Sequence, residues 1–564
     1  MESPEIPDEQ QKFFAAVEKL KSSRDFRLFD SPYQSPDVIL RPYQHIGVAY
    51  MLAVPRAILG DHTGLGKTGQ SISTFIRLLE KNPNLKCIIV TIKSSLYQWA
   101  SEIRKFTQGI RAFALDADSF EDSEGNRYKK SSKESPADFR QKAFDLFKEQ
   151  DAHLLITGYS MLVSENQNLM NIGDEYIVFF DECTQFKTWK PEIKYRDENR
   201  LRAQSGKKAY LSVYQAACNV SVKAQRAYGL TATPIKNRLE EAFALYKVIK
   251  PDLFPNVTWF RSNFCVYREM MMRGRRIPQL VQYKNLDKFA DIIKPFYIGR
   301  SKRDVAPDLP RVITKNTFLE MKASQARRYQ DALEGLLELP DGSEKTPEAL
   351  AKLTYCQLIS NSPRLIGYPD EDSSKEEELF RLLSDELEDE KVIVFTISKE
   401  WIDYLSQQIP NSLKITGAVS GLDRKKAIDK FTESKTHNVI FINKAGIESI
   451  NLQIAGHIVC LDLPWSYGDY LQLIGRSQRI GSTHSSIVVH QLLNTGTIDE
   501  YKVQTLLGKK NLVDRIFGPD AENILHSSSD NDTMSMLVQA LRSRGFSNQR
   551  VTRDMDIVDI NEKL

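Results

Sequence analysis

Residues 56–81 read RAILGDHTGLGKTGQSISTFIRLLEK, an apolar run followed by a glycine-containing turn and then a helical repeat. An apolar run before such a turn is typical of a buried strand, and the backbone N–H groups of the turn can face phosphate oxygens. The following helix adds the partial positive charge of its N-terminus. This pattern predicts a strand–turn–helix unit that binds nucleotide phosphates, in which Lys67 reaches the β- and γ-phosphates and the Thr68 hydroxyl holds Mg²⁺.

The turn departs from the general phosphate-loop pattern at one position. That pattern, G-x-x-x-x-G-K-[ST], has a glycine where this chain has Asp61. The rest of the context, a strand before the turn and a helix after it, is the one that the motif requires. The predicted nucleotide-binding residues of the loop are therefore Gly64, Leu65, Gly66, Lys67 and Thr68.

Two sets of short, β-branched apolar runs lie on either side of this chain's middle and alternate with amphipathic stretches. Such runs read as strands buried on both faces, and their alternation with helices indicates parallel sheets. The first set is KCIIVTI (86–92), HLLIT (153–157), YIVFFDE (176–182) and RAYGLTA (226–232). The second is KVIVFT (391–396), LKIT (413–416), NVIFIN (438–443), HIVCLDL (457–463) and SIVVHQL (486–492). We predict an α/β protein with two doubly wound parallel-sheet lobes and helical insertions between them.

Two carboxylates end one of the predicted strands. Asp181 and Glu182 follow the run YIVFF, which places them at the carboxyl edge of the sheet, where ligands bind in open α/β folds. Phosphoryl transfer depends mainly on positioning and charge neutralisation. We expect Asp181 to bind Mg²⁺ and Glu182 to orient the attacking water.

Two arginines in the second set complete the predicted site. Arg476 and Arg479, in QLIGRSQRIG (472–481), are three residues apart and are expected on one face of a helix. Arginines that approach a γ-phosphate stabilise the charge of the transition state. Because they lie in the other lobe, hydrolysis would depend on closure of the lobes.

Composition narrows the class of protein only slightly. The 564 residues carry a net charge of only +3, so any nucleic-acid binding must come from a localised basic surface. The six cysteines are far apart and form no C-x-x-C, which argues against a zinc site and a disulfide framework. The N-terminus has no signal-peptide pattern, and no apolar stretch approaches the ~20 residues of a membrane span. We expect a soluble intracellular protein of cytoplasm or nucleus, without a membrane partner.

Further segments follow one another in the order of a known family. The chain resembles the superfamily-two helicases, and specifically the Swi/Snf-type helicase-like DNA-dependent ATPases, from about residue 38 to 518. The segments that carry the resemblance are LRPYQHIGVAYM (40–51), IVTIKSSLYQWASEIRKF (89–106), ITGYSML (156–162), LTATPIKNRLEEAFALYKVIKPDLF (230–254), RSKRDVAPDLP (300–310), LTYCQLISNSPRL (353–365), NKAGIESINLQIAGHIVCLDLPWS (443–466) and GTIDEYKVQTLLGKK (496–510).

The resemblance implies two RecA-like lobes, ATP hydrolysis in the cleft between them, and DNA lying across both. It implies that Gln44 reads the adenine and that Gln472 also contacts the nucleotide, whereas Trp99 is interpreted as a packing residue. The implied nucleic-acid contacts, through backbone amides and hydroxyls at loop ends, are Lys93, Ser94, Thr157, Thr396, Thr416, Lys444 and Ala445. Since none of these is placed to read bases, we predict weak sequence specificity.

The predicted organisation has five parts. They are an N-terminal extension (1–35), lobe 1 (36–250), a helical inter-lobe region with a basic hairpin (251–385), lobe 2 (386–518) and a polar C-terminal tail (519–564). The hairpin is expected at 264–283, with arginines at its turn. Residues 119–136 read as a mobile loop, and 338–348 and 369–378 as surface loops. The basic stretch 187–208 is either a solvated loop or a second DNA-contacting surface.

These features together predict an ATP-dependent motor that translocates on double-stranded DNA, with ATP and Mg²⁺ as cofactors. An annealing, branch-migrating or unwinding helicase acting on forked DNA is the alternative. An RNA helicase and a non-motor scaffold are further possibilities, and the termini offer sites for a replication, repair or transcription partner.

Overall fold

The structure of the chain is a computed structural model that divides into two compact units. Unit 1 contains the described parts of residues 8–265 and 283–305, and unit 2 those of residues 266–282 and 306–503. The residues that the structure describes are 8–23, 27–28, 30–186, 211–232, 234–235, 238–272, 275–305, 309–337, 349–417, 421–447, 452–465, 467–478 and 482–503.

Strands occur where the apolar runs predict them, and several more are present. In chain order they are β1 (Arg56–Leu59), β2 (Lys86–Thr91), β3 (Ala112–Leu115), β4 (Ser119–Glu121), β5 (Arg127–Lys129), β6 (Leu154–Gly158), β7 (Tyr176–Asp181), β8 (Arg226–Leu230), β9 (Cys265–Met272), β10 (Arg275–Tyr283), β11 (Tyr297–Ile298), β12 (Arg311–Leu319), β13 (Val392–Phe395), β14 (Leu413–Ile415), β15 (Val439–Ile442), β16 (His457–Cys460) and β17 (Ser486–Asn494).

The helices fill the intervals between these strands. In unit 1 they are Asp8–Lys21, Pro42–Ala53, Lys67–Leu79, Leu96–Phe106, Pro136–Glu149, Tyr159–Ser164, Asn166–Met170, Val213–Lys223, Leu239–Ile249, Val257–Phe264, Leu286–Ile293 and Lys302–Val305. In unit 2 they are Ala323–Glu334, Ala349–Asn361, Ser374–Arg381, Lys399–Gln408, Gly421–Glu433, Lys444–Ile447 and Tyr467–Ile474. Among the described residues, none of the helices has both the length and the apolar character that a membrane crossing requires.

The sheet of unit 1 has nine strands in the order β11-β1-β8-β7-β2-β6-β3-β4-β5. The strands from β11 to β3 are parallel, and β4 and β5 extend the sheet in antiparallel fashion. In this order β8 lies between β1 and β7, so the ends of β1 and β7 are two strand positions apart, or about 10 Å. The phosphate loop and the paired carboxylates therefore lie on one edge of one sheet.

The sheet of unit 2 has six parallel strands in the order β12-β17-β16-β13-β15-β14. Successive residues of β13 alternate between two apolar clusters: Ile393 and Phe395 pack in one, and Val392 and Val394 in the other. Burial of both faces explains the continuous apolar runs of the sequence. The predicted α/β fold with two parallel-sheet lobes is confirmed.

The prediction of a mobile loop at residues 119–136 is wrong. This stretch forms β4 and β5 at the edge of the first sheet. Phe120 is fully buried, with its ring centroid 4.6 Å from that of Tyr128 and 5.3 Å from that of Phe139. One aromatic residue packing into the core has ordered a segment whose composition is otherwise polar.

The acidic run 369–378, predicted as a surface loop, is helical from Ser374 onward. Ser373 caps this helix by accepting a hydrogen bond from the Glu376 backbone N–H. Lys375 is fully buried and lies 2.7 Å from the Asp499 carboxylate. The loop prediction is therefore wrong for the second half of this run, because its lysine has a buried partner far along the chain.

The predicted helical inter-lobe region contains four strands. β9 and β10 form a separate two-stranded sheet, which confirms the hairpin predicted at 264–283. β11 pairs with β1 in the first sheet, and β12 pairs with β17 in the second, so each sheet takes a strand from this region. The stretches 187–208, 338–348 and 519–564 and the tip of the hairpin lie outside the described residues, and the domain boundaries stay predictions.

Candidate functional site: a phosphate loop and paired carboxylates

The turn after β1 has the backbone geometry that a phosphate loop requires. Gly64 and Gly66 have positive φ values of 85° and 74°, a conformation that costs glycine little. A side chain at Gly66 would also collide with the Gln44 amide. The helix Lys67–Leu79 begins directly after Gly66, so its N-terminus faces the turn. The sequence prediction of a strand, a glycine turn and a helix at this place is confirmed.

Lys67 has its ammonium group folded back onto the loop. Its Nζ donates to the carbonyl oxygen of Asp61 at 2.6 Å and to that of His62 at 3.3 Å. These two hydrogen bonds hold the ammonium group against the backbone of the loop. Lys67 is thus placed over the turn, and its contact with nucleotide phosphates stays a prediction.

Asp61, which replaces the usual glycine, is fully buried and paired with Arg300. The two side chains approach to 2.5 Å, and Asp61 also accepts hydrogen bonds from Gln70 at 2.9 Å and from the Arg300 backbone N–H at 3.1 Å. Arg300 additionally donates to the Tyr43 carbonyl oxygen. The departure from the general motif therefore anchors the loop to the segment that follows β11.

Gln44 lies beside the loop, and part of its amide is already bonded within the chain. Its oxygen accepts from the Arg41 backbone N–H at 2.8 Å, and its nitrogen donates to the Leu65 carbonyl oxygen at 3.2 Å. The Tyr43 hydroxyl donates to the same Leu65 carbonyl at 3.1 Å. Leu65 itself is fully buried, so it serves the loop through its backbone. Adenine recognition by Gln44 stays a prediction.

Asp181 ends β7, and three side chains hold it. Its Oδ2 accepts from the Trp99 indole N–H at 2.8 Å and from the Thr91 hydroxyl at 2.9 Å. The Tyr159 hydroxyl donates to the Asp181 carbonyl oxygen at 2.7 Å. The carboxylate is thus fixed from β2 and from the helix that follows β2.

Glu182 follows in the left-handed backbone conformation, with φ of 49°. Only four non-glycine residues with positive φ occur in the described part of the chain, and such strain gathers at functional sites. The conformation turns the chain sharply after β7, which lets neighbouring residues direct their side chains differently. The separate roles of Asp181 and Glu182 stay predictions.

Burial raises the pKa of Asp181, and the neighbouring Glu182 carboxylate raises it further. The hydrogen bonds from Trp99 and Thr91 and the positive charge of Lys67 act in the opposite direction. The charge of Lys67 therefore acts on the Asp181 carboxylate across the edge of the sheet. A buried carboxylate that stays costly to ionise gains from a cation in its vicinity.

The residues present fit a magnesium ion that also binds a nucleotide. Among the described residues, no group of three or more His, Cys, Asp or Glu side chains could hold a metal unaided. Mg²⁺ in nucleotide sites uses few protein ligands and takes phosphate and water oxygens for the rest. The Asp181 carboxylate and the Thr68 hydroxyl supply hard oxygen donors of that kind.

Arg476 is buried in unit 2, at 8% exposure. The helix Tyr467–Ile474 ends before it, so the prediction that Arg476 lies on a helix is wrong. It lies in the hydrogen-bonded turn that follows, where its N–H donates to the Leu473 carbonyl oxygen at 3.0 Å. The Arg476 carbonyl oxygen accepts from the Leu452 N–H at 3.1 Å, which ties this turn to the segment before β16. Gln472 is buried on the helix, and Arg479 lies outside the described residues.

The predicted nucleic-acid contacts fall into two groups. Lys93 and Lys444 have exposed side chains, each within 2.8 Å of an aspartate, Asp116 and Asp469 respectively. Ser94 is exposed and lies beside Lys93 in a short 3₁₀ helix, and Ala445 follows Lys444 in the helix Lys444–Ile447.

The three predicted threonines are buried. The Thr157 hydroxyl donates to the Leu115 carbonyl oxygen at 3.0 Å, and the Thr396 hydroxyl to Asp462 at 3.0 Å. Thr416 is 3% exposed. The Thr157 and Thr396 hydroxyls thus bond within the protein, and any contact of the three threonines with nucleic acid stays a prediction.

Two features of the site escape sequence reasoning. Trp99, interpreted as a packing residue, is indeed buried, but its N–H also holds Asp181, 82 residues away. Arg300 holds Asp61 across 239 residues. The one available signal was that a charged residue, Asp61, stands where the motif has glycine, since a buried charge requires a partner.

Comparison with known proteins identifies the two halves of the chain. The SNF2-related domain matches residues 43–364, and the helicase conserved C-terminal domain matches residues 374–481. The ISWI chromatin-remodeling complex ATPase ISW1 of Saccharomyces cerevisiae is 25% identical over 538 residues, which are 89% of this chain and 43% of that protein. The putative ATP-dependent helicase/translocase YwqA of Bacillus subtilis is 26% identical over 504 residues, which are 85% of this chain and 48% of that protein.

The chain spans less than half the length of these two curated relatives. Among solved structures, a Sulfolobus solfataricus SWI2/SNF2 ATPase core in complex with dsDNA is 23% identical, with a TM-score of 0.38. The match covers 92% of this chain and 98% of that one.

Proposed function

The chain belongs to the SNF2-related family, whose domain matches more than half of it, and from that premise we propose that it is an ATP-driven motor that translocates on double-stranded DNA. The paired SNF2-related and helicase C-terminal domains are those of a helicase-type ATPase. One observation supports the ATPase site most strongly. Lys67 and the Asp181–Glu182 pair lie at the same edge of one sheet, close enough for the Lys67 charge to act on Asp181.

Each residue of this edge has a distinct proposed role. Lys67 exchanges the Asp61 and His62 carbonyls for the β- and γ-phosphate oxygens. The Thr68 hydroxyl and the Asp181 carboxylate hold Mg²⁺, which when bound neutralises phosphate charge. Glu182 orients the attacking water.

Arg476 and Arg479 of unit 2 supply positive charge to the transition state. In this proposal hydrolysis requires these arginines in addition to the residues of unit 1. Hydrolysis would then change the grip on DNA, which is held by sequence-independent contacts to phosphates. Lys93 and Lys444, with their exposed ammonium groups, are the proposed basic contacts.

An ATPase panel tests this proposal. We expect hydrolysis to be stimulated more by duplex DNA than by single-stranded DNA or RNA. Lys67→Ala and Glu182→Gln should each lower kcat by about 10²–10³-fold, whereas Lys81→Ala, at an exposed lysine of the same unit, should not change it. Wild-type activity that survives both site substitutions would remove the assignment of the site.

A second panel separates translocation from strand separation. A translocase displaces the third strand of a triplex without robust unwinding of a long duplex. Robust unwinding without triplex displacement would contradict the translocase. Stimulation by RNA alone would indicate an RNA helicase, and binding without any hydrolysis a scaffold.

The β9–β10 hairpin favours one alternative, an annealing or branch-migrating helicase that acts on forked DNA. A two-stranded sheet that pairs with neither large sheet is suited to contact a junction. Its base is closed by a hydrogen bond from Lys284 N–H to the Phe264 carbonyl oxygen at 3.0 Å, so a short linker can replace residues 266–282. If the alternative holds, this deletion abolishes fork regression and leaves duplex-stimulated ATPase in place.

A further inference from the structure

Two lysines of unit 2 are buried, and both bind the same short segment. Lys375 and Lys502 are 0% and 1% exposed. Lys375 Nζ donates to the Leu461 carbonyl oxygen at 2.7 Å, and Lys502 Nζ donates to the Leu463 carbonyl oxygen at 2.9 Å. Burying a charged ammonium is costly unless its partners compensate. The convergence of two such groups on Leu461–Leu463 therefore needs an explanation.

The residue between these carbonyls, Asp462, is held from two other elements. Its carboxylate accepts from the Asn361 side chain at 2.8 Å, from the Thr396 hydroxyl at 3.0 Å and from the Ile397 backbone N–H at 3.0 Å. All three consecutive residues of this segment are thus fixed by groups distant in sequence. The same bonds fix the turn that follows β13.

The fixed segment leads to an exposed aromatic residue at the carboxyl edge of the second sheet. Trp465 is 39% exposed, and the Lys502 ammonium lies 4.6 Å from its ring centroid. Ile397, in the turn held by Asp462, is 41% exposed. Large apolar side chains that remain exposed on a rigid support are suited to a ligand.

An ion pair kept only for stability gives a poorer account of this arrangement. Buried ion pairs are weak sources of stability and can often be replaced by apolar side chains. Here Lys375 does pair with Asp499 at 2.7 Å, but Lys375 and Lys502 also both donate hydrogen bonds to backbone carbonyl oxygens of Leu461–Leu463. What the lysines define is the position of Leu461–Trp465.

We propose that Lys375 and Lys502 are positioning residues that hold Leu461–Trp465, and through Asp462 the Thr396–Ile397 turn, in place as a preformed nucleic-acid-facing edge of unit 2. The inference rests on the proposed function, since it takes nucleic acid as the ligand of this edge.

The charge of Lys502 gives this positioning a pH dependence. Burial lowers the pKa of Lys502 to about 8, and the charge of Lys375 lowers it further. Two carboxylates oppose this shift: Asp462, on the segment after β16, and Asp499, on the same helical turn as Lys502. The unfolded chain keeps a lysine pKa near 10.5. Between about pH 8 and 10.5, Lys502 is deprotonated in the folded protein but still protonated in the unfolded chain. Its contribution to the free energy of unfolding therefore becomes more favourable to the folded state as the pH rises. Positioning, which needs the ammonium, weakens over the same interval.

The first test compares Lys502→Met and Lys502→Arg with the full-length wild type. We expect Lys502→Met to lower the ratio of DNA-stimulated to basal ATPase by about tenfold, the cost of a charge-assisted hydrogen bond. Basal ATPase should stay within about twofold. Lys502→Arg should restore the ratio at pH 7 and remove the decline that the wild type shows above pH 8.

Lys391→Met is the matched control. Lys391 also donates to backbone carbonyls, including that of His437 at 3.0 Å, and lies 5.2 Å from the Phe431 ring, but at the opposite edge of the sheet. It should lose stability without a change in the DNA response. A Lys502→Met protein that melts like Lys391→Met and keeps full DNA stimulation would overturn the inference.

A second readout does not depend on DNA. The fluorescence assigned to Trp465, by difference from Trp465→Phe, should titrate near pH 8 in the wild type and not in Lys502→Arg. Identical titrations in both proteins would refute the positioning role. If the wild type shows no DNA stimulation, the proposed function fails, and this titration still decides whether Lys502 holds Trp465.

Discussion

Trp99 shows how much of this site depends on single hydrogen bonds to Asp181. The indole N–H is one of two side-chain donors to the same carboxylate oxygen, and the ring is 2% exposed. Removing the N–H while keeping an aromatic ring would leave the packing nearly intact. Asp181 would then be free to change its orientation, which a carboxylate in the proposed role of Mg²⁺ ligand would tolerate poorly.

We therefore predict that Trp99→Phe lowers kcat by about tenfold, consistent with the loss of one charge-assisted hydrogen bond. Trp401→Phe is the control, because Trp401 is equally buried and donates its indole N–H to Glu376 at 2.7 Å in unit 2. Steady-state ATPase and thermal melting should be measured on both. Equal losses of kcat in the two proteins would show that Trp99 acts only through stability.

Among the structural elements, the β4–β5 hairpin was not predicted, because the polar composition of residues 119–136 indicates a mobile loop. Asp122 closes its turn by accepting from the backbone N–H groups of Glu124 and Asn126 at 3.0 and 2.9 Å. It also accepts from the Tyr128 hydroxyl at 3.1 Å. Burial by itself would raise the pKa of Asp122, but the hydrogen bond from the Asn126 side-chain amide at 3.1 Å, together with these bonds, outweighs it and the pKa is lowered.

A lowered carboxyl pKa contributes stability that is present above the unfolded pKa and is lost as pH falls through the folded pKa. We predict that Asp122→Asn destabilises the protein by about 1–3 kcal/mol near pH 7. The difference in Tm from the wild type should shrink below about pH 4. Asp118→Asn, at an exposed residue of the same hairpin, should have little effect at any pH. A pH-independent difference would contradict the role of the Asp122 charge.

At the scale of the whole molecule, the residues proposed for ATP hydrolysis are divided between the two units. Lys67, Asp181 and Glu182 lie in unit 1, and Arg476 lies in unit 2. Binding and hydrolysis should therefore separate: the phosphate loop suffices for affinity, whereas the transition state needs the arginine.

Arg476→Ala should lower kcat by about 10³-fold or more and change nucleotide affinity little. Fluorescent-nucleotide binding and single-turnover hydrolysis would measure the two effects. Arg381→Ala, at an exposed arginine of unit 2 that pairs with Glu378, is the control. A melting curve on Arg476→Lys, which keeps the charge, separates misfolding from chemistry. Loss of nucleotide binding in step with kcat would contradict the assignment.

The sequence by itself determined the two parallel sheets and the phosphate loop. Strands buried on both faces must be continuously apolar, so β13 and β15 are visible as VIVF and VIFI. The loop is visible because its geometry is local: glycines at 64 and 66 supply the positive φ that the turn needs. The hairpin at 264–283 was predictable for a similar reason, since the pattern and the pairing lie within one segment.

Tertiary structure alone decided which charged groups are buried and what they hold. Lys375 lies in a run that reads as a solvated acidic loop, yet Asp499 pairs with it from 124 residues away. Asp61 pairs with Arg300 across 239 residues of sequence, and Asp181 accepts a hydrogen bond from Trp99 across 82 residues. The physical reason is that a charge can be buried at acceptable cost only beside a partner. Here the fold brings that partner from a distant part of the chain, so the local sequence does not reveal it.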